Sequence, residues 1–278
     1  MRHKPAIAAA AVAFLLGWFD IVGYVRYVAF FWPYLGPPVL LYGPFFVRPL
    51  FKNASPAARA GLPASRYGNA PYEFLGGNDI GLVFYPGAAV EAAAYAPLCR
   101  RVAEEAKATI ILARAPFRTV ITTEAFHKLT ARHPSVKTWA VGGHSHGAGS
   151  FGGMKVVSKA PDVVRGFAML GAVPTGEWTD LSNRHRDLEV LNVLASEDAI
   201  ASPQKGARHV YGDGLIADGF KKLPKSTRRV IIKGGNHAGF GDNGIQTHDG
   251  ERTISHEDQQ DQTARHLVAF LKRVRKHG

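Results

Sequence analysis

From about residue 67 onward the chain repeats one pattern. A short, almost wholly apolar run is followed by a break of Gly, Pro or polar residues, then by a longer stretch with apolar positions every three or four residues. The short runs are Ile80–Tyr85, Thr109–Ala113, Thr138–Val141, Gly166–Leu170, Glu189–Leu194 and Arg229–Ile232. They are β-branched or aliphatic, too short for helices, and apolar on both faces, which predicts strands covered on both sides. The longer stretches run over Val90–Ala106, about 121–132, His146–Ser158, about 203–215 and Gln259–Arg275. In the last, Ala264, Leu267, Val268, Phe270 and Leu271 form an apolar stripe opposite a basic face. Strand–helix alternation on this scale predicts an α/β fold, a mostly parallel, doubly wound sheet flanked by helices. In such sheets the functional site lies at the C-terminal ends of the strands.

The first fifty residues break the pattern. Arg2-His3-Lys4 precede Ala6–Phe19, which carries no polar side chain, and apolar character continues past Asp20 and Arg26 to Phe45-Phe46-Val47. A helix of about 20 residues, from Pro5 to Tyr24, would be long enough to cross a bilayer. Trp18, Tyr24, Tyr27 and Trp32 would suit an interfacial belt. The expectation is a hydrophobic membrane-anchor region over 1–53, a single pass with a cytoplasmic N-terminus and the main domain, 54–278, on the non-cytoplasmic side. A cleaved signal peptide, a helix buried in the core and a pocket cover are the other readings of this segment. Pro33–Pro49 reads as an interfacial segment or a flap, and Asn53–Pro63 as a linker.

Composition changes this picture little. The 278 residues are 46% hydrophobic, with a net charge of +12 and a single cysteine, Cys99. One cysteine excludes an intrachain disulfide, and Cys99 is expected to pack as a small hydrophobe. The basic residues are scattered apart from Lys272, Arg273, Arg275 and Lys276, and no nucleic-acid motif accompanies them, so no nucleic-acid partner is expected. The oligomeric state is not legible.

The candidate chemistry starts at Gly143-His144-Ser145-His146-Gly147, a G-x-S-x-G placed directly after the run Thr138–Val141. That is the sequence form of a nucleophile elbow, a sharp strand-to-helix turn with a strained serine at its corner. A serine hydroxyl needs a histidine to take its proton and a carboxylate to orient that histidine. In chain order Ser, acid, His, the next strand ends supply Glu197-Asp198 after Leu194, and His237 in Lys233-Gly-Gly-Asn-His237 after Ile232. Asp198 is preferred to Glu197 because its shorter side chain suits the turn. The oxyanion hole is expected from the backbone N–H groups of Ala88, after Pro86-Gly87, and of His146. His144-x-His146 is not expected to hold a metal, because the elbow destroys the same-face geometry of alternate strand residues. No cofactor is expected. Asp242 and Asn243 would brace the His237 loop, while His248, Asp249 and His256 would stabilise the loop after it.

These residues, with Leu82–Val90, Ala94–Pro97 and the long run Gly234–Gln246 followed by His248-Asp249-Gly250, resemble the alpha/beta-hydrolase superfamily from about Gly81 to the C-terminus. The chain is most similar to a small, lid-poor, membrane-anchored bacterial-type branch, the fold-5-like hydrolases. The resemblance implies Ser145 as nucleophile, Asp198 as acid and His237 as base. It also marks two departures, since the branch usually carries a larger apolar residue at 146 and glycine at 195. The activity it implies is a serine carboxylesterase or lipase-like hydrolase acting on a small ester or lipid-derived substrate. Only 171–187 separates two successive strands at the usual lid position, so a large lid is not expected. The alternatives are an amidase or acyltransferase, or a noncatalytic membrane-anchored interaction protein that retains the fold.

Overall fold

A computed structural model describes residues 52–62, 70–77, 79–114, 123–149, 152–160, 162–174, 180–184, 187–201, 219–246 and 248–277, all within a unit spanning 52–278. The expected membrane segment and the helix expected over 203–215 lie outside the described residues. Among the described residues no helix is long and apolar enough to cross a membrane.

Seven strands form one sheet: β1 (Tyr72–Leu75), β2 (Ile80–Tyr85), β3 (Thr109–Leu112), β4 (Thr138–His144), β5 (Val164–Leu170), β6 (Glu189–Ala195) and β7 (Arg228–Ile232). Their spatial order is β1-β3-β2-β4-β5-β6-β7, and β1 alone is antiparallel to its neighbour. All six expected strands are present within two or three residues. The unexpected one, β1, is an edge strand of sequence Tyr-Glu-Phe-Leu, with too short and mixed a pattern to stand out.

Successive side chains of β2 point to opposite faces and divide the core in two. Leu82 and Phe84 pack with Leu98, Val102, Leu267, Phe270 and Leu271, on the side of α2 (Ala96–Ala106) and α5 (His256–His277). Val83 and Tyr85 pack with Phe126, Met154, Val157 and Phe167, on the side of α3 (Thr123–Thr130) and α4 (Gly153–Lys159). Burying each such aliphatic or aromatic side chain contributes about 1.5–3 kcal/mol, which makes these two layers the main source of stability.

Helix starts are where local chemistry corrects the sequence reading. The stretch expected as one helix from Val90 begins instead as a 3₁₀ turn, Ala92–Tyr95, and only then becomes α2. Pro97 sits in the first turn of α2, where its missing N–H is harmless, and cannot lie further inside a longer helix. After Ser145 a 3₁₀ turn, Ser145–Gly147, precedes α4, which does not start until Gly153. The glycines at 147, 149, 152 and 153 are poor helix formers and delay it.

The expected linker is not one over its first half. Ser55 accepts a hydrogen bond from the Ala58 N–H at 3.0 Å, capping the single turn α1 (Pro56–Arg59). Lys52 pairs with Val90 as an isolated parallel bridge, Arg59 pairs with Glu91 at 2.5 Å, and Ala54 and Ala58 are buried. Ser-Pro is itself an N-cap followed by a favoured first helical residue, so the segment docks rather than links. The basic C-terminal run is likewise partly spent inside the fold. Arg273 pairs with Glu189 at 2.5 Å, and Arg275 pairs with Asp79 at 2.6 Å while donating to the carbonyls of Ala106 and Lys107.

Candidate active site

The elbow forms at the C-terminal end of β4, where the turn after it packs against the start of the loop after β2. Ser145 has φ 53, a left-handed conformation that costs a non-glycine residue energy and is held here by its surroundings. The flanking glycines are sterically required. A Cβ at Gly143 would stand 2.7 Å from the Gly147 main chain. At Gly147 it would stand 2.2 Å from the Pro86 carbonyl and 2.4 Å from that of Tyr85. The serine is half-buried, and no hydrogen bond joins its hydroxyl to His237 or to any other described residue. Such bonds often tighten only when substrate is bound.

Asp198 and His237 meet in the interior. Asp198 follows β6, and its Oδ1 accepts from the N–H groups of Ile200 at 2.8 Å and Ala201 at 2.7 Å. Its Oδ2 lies 2.8 Å from His237 Nδ1, and both side chains are buried. Burial works to lower the His237 pKa, but the charge and hydrogen bond of Asp198, with Asp249 adding its charge, outweigh it and hold the imidazole above its ordinary value. Glu197 points elsewhere, accepting from the Ser196 hydroxyl at 2.9 Å.

His144, immediately before the serine, was not assigned a partner by the sequence and has a defined one. Its Nδ1 is 2.7 Å from the Tyr95 hydroxyl, whose oxygen accepts from the Gly87 N–H at 3.1 Å. The arrangement that satisfies all three has Tyr95 donating to His144 Nδ1. Burial, with the nearby His237 adding to it, holds the His144 pKa well below the ordinary histidine value, so His144 is the neutral acceptor that arrangement needs. A Cβ at Gly87 would come within 3.0 Å of His144 Nδ1 and 3.1 Å of the Tyr95 hydroxyl, so glycine here makes room for that pair. The His144 and His237 rings lie 4.4 Å apart, centroid to centroid, which brings the His237 loop to the elbow.

Around these groups, Ala88 is exposed and its N–H has no hydrogen-bond partner among the described residues, while His146 is half-exposed at the first position after the serine. Asp242 does not brace the His237 loop as expected; its carboxylate accepts from the Ser55 hydroxyl at 2.6 Å and so ties down the cap of α1. The side-chain nitrogen and oxygen of Asn243 are buried with no hydrogen-bond partner among the described residues. Other side chains hold the His237 loop, Gln260 through the Gly239 carbonyl and His256 through that of Gly241 among them. Gln259 clamps Asn236 through both its N–H and its carbonyl, Asn236 donates to the Gly250 carbonyl, and Asp249 accepts from His237 and Ala238. Cys99 is fully buried and its thiol pKa is raised by burial, as suits a core residue.

A parallel sheet with a strained Ser145 at one strand end and a buried acid–histidine pair at two others defines the class. A sequence model of the alpha/beta hydrolase family matches residues 81–261, and the chain belongs to that family. Among solved structures, one of two metagenome-derived lipolytic enzymes, LipS and LipT, aligns with a TM-score of 0.50 at 13% identity over 74% of this chain and 98% of its own. A thermophilic esterase from Thermogutta terrifontis aligns at 0.49 and 12% identity over 74% and 93%. A monoacylglycerol lipase from Paleococcus ferrophilus aligns at 0.48 and 13% over 73% and 100%. At such identities the likeness is one of fold. No curated protein matches the chain by sequence.

Proposed function

We propose that the protein is a serine hydrolase working through an acyl-enzyme, with Ser145 as nucleophile, His237 as general base and Asp198 as the residue that orients it. The observation that carries this reading is the buried Asp198 Oδ2–His237 Nδ1 contact of 2.8 Å beside a serine held at φ 53 on an elbow. In the proposed sequence Ser145 Oγ attacks the acyl carbon while His237 Nε2 takes the hydroxyl proton. The oxyanion is received by the N–H groups of Ala88 and His146. The tetrahedral intermediate collapses, the leaving group departs with the proton from His237, and water activated by the same imidazole releases the acid.

The substrate class that suits the site best is a carboxylic ester, hydrophobic or lipid-derived. Support comes from family membership and from the short connection over 171–187, which leaves little chain for a lid. The apolar run over 1–53 adds a membrane anchor to the proposal, with the hydrolase domain beyond it. The test is turnover of short p-nitrophenyl esters by purified protein. Wild type is expected to hydrolyse them and Ser145→Ala to be inactive; wild-type protein inert across an ester and amide panel would overturn the reading.

A further inference from the structure

The Asp249 carboxylate bonds main chain on both sides of the Asp198–His237 pair. Its Oδ1 accepts from the Gly250 N–H at 2.8 Å, the His237 N–H at 3.2 Å and the Ala199 N–H at 3.4 Å. Its Oδ2 accepts from the Ala238 N–H at 2.8 Å. Ala199 follows Asp198 in the loop after β6, whereas His237 and Ala238 lie in the loop after β7, so one carboxylate bonds both loops at the pair itself. It adds to the Gly234 N–H to Ser196 hydroxyl bond and to the main-chain bonds from Ser196 to Ile232 and from Glu197 to Gly235 further back. The segment that carries it is pressed into place. His248 adopts φ 65, and a Cβ at Gly250 would come within 1.8 Å of the Glu197 carbonyl, so the backbone there lies flat against the acid loop. Asn236 Nδ2 donates to the Gly250 carbonyl at 2.8 Å from the other side.

A half-buried carboxylate next to a second carboxylate, Asp198, is expensive unless something nearby repays it. The four main-chain N–H groups do so in part, and the His237 imidazole gains from the charge. We propose that Asp249 is a positioning residue for the hydrolytic reaction, helping to fix the acid loop and the base loop in register with its carboxylate beside His237. The inference rests on the serine-hydrolase reading for its kinetic consequence, but its structural half does not. Among the described residues three titratable groups face His237: Asp198 from the end of β6, Asp249 from the loop that follows His237, and His144 from the end of β4. His144 is neutral for the reasons given above, so the two carboxylates set the charge around the imidazole.

The test is Asp249→Asn in the full chain, read three ways. With p-nitrophenyl esters, kcat is expected to fall about 10- to 100-fold with KM little changed, the scale of a misplaced catalytic group. The acid limb of the kcat/KM profile and the His237 ring titration followed by NMR should both move to lower pH, because removing a nearby negative charge disfavours the imidazolium. A merely structural loop residue would not shift that titration. Asp249→Glu keeps the charge but not the four-way geometry, so its titration should stay near wild type while kcat falls. A folded Asp249→Asn protein with wild-type kcat and an unmoved His237 titration overturns the proposal. If both variants fail to fold, hydrogen exchange in the wild type decides: the His237 and Ala238 amides should be strongly protected, and fast exchange there overturns the positioning role. Should the wild type prove inactive on every ester, the NMR titration and the exchange still read Asp249, and the failure then belongs to the hydrolase reading.

Discussion

At the scale of single residues, the chemistry turns on how His237 is held. Burial alone would make the imidazole a poor proton acceptor, and the Asp198 carboxylate reverses that. The folded protein favours the imidazolium, so the neutral form a general base requires is reached only above the ordinary histidine value of about 6.5. The acid limb of kcat/KM should therefore lie above that value. Asp198→Asn removes the charge and the orienting hydrogen bond together. It is expected to lower kcat about 10³- to 10⁴-fold, the cost of a misoriented base, and to move the acid limb to lower pH. Steady-state kinetics across pH measures both effects. The identity of this pair was legible as chain order and strand-end placement. The choice between Glu197 and Asp198 rested on a short-turn argument and on a family resemblance, and the structure puts Asp198, not Glu197, on the His237 ring. What the sequence could not show was Tyr95 reaching His144 or Asp249 joining two loops, because both contacts cross distances along the chain that no local pattern encodes.

At the scale of elements, the elbow is a crossing of main chains. Gly147 lies against the carbonyls of Tyr85 and Pro86, so β2, β4 and the turn after Ser145 share one tight junction. Gly147→Ala has no flexible side chain to push aside, only backbone. Overpacking of this kind typically costs about 1–3 kcal/mol or more. The expected outcome is a lower denaturation midpoint together with loss of the proposed ester hydrolysis, since relief requires moving the serine or the Gly87 loop; chemical denaturation and turnover check the two halves. This junction was readable from the Gly-x-Ser-x-Gly spacing. The helix that follows was misjudged by several residues because its amphipathic pattern starts before its glycines permit helix. The docked segment at Ser55–Arg59 carried an N-cap signal inside a stretch whose Ala, Gly and Pro content reads as linker.

At the scale of the whole molecule, six strands and their order of succession followed from apolar runs. The five inner strands are buried on both faces and leave an uninterrupted hydrophobic signature. By contrast, β7 lies at the sheet edge with most of its residues exposed, against the expectation of cover on both sides. The seventh, β1, has only one neighbour, β3, and needs no such run. The N-terminal 1–53 region belongs to this scale too. If it anchors the protein, the full chain should stay with the membrane pellet through alkaline carbonate washing, and its release intact into the supernatant would overturn the anchor. The central claim, a serine nucleophile in this family member, is tested most directly by labelling the purified full-length protein with a fluorophosphonate and mapping the adduct by peptide mass. The account predicts one modified residue, Ser145, with labelling lost in Ser145→Ala. An unlabelled wild type, or an adduct that persists in Ser145→Ala, would contradict it.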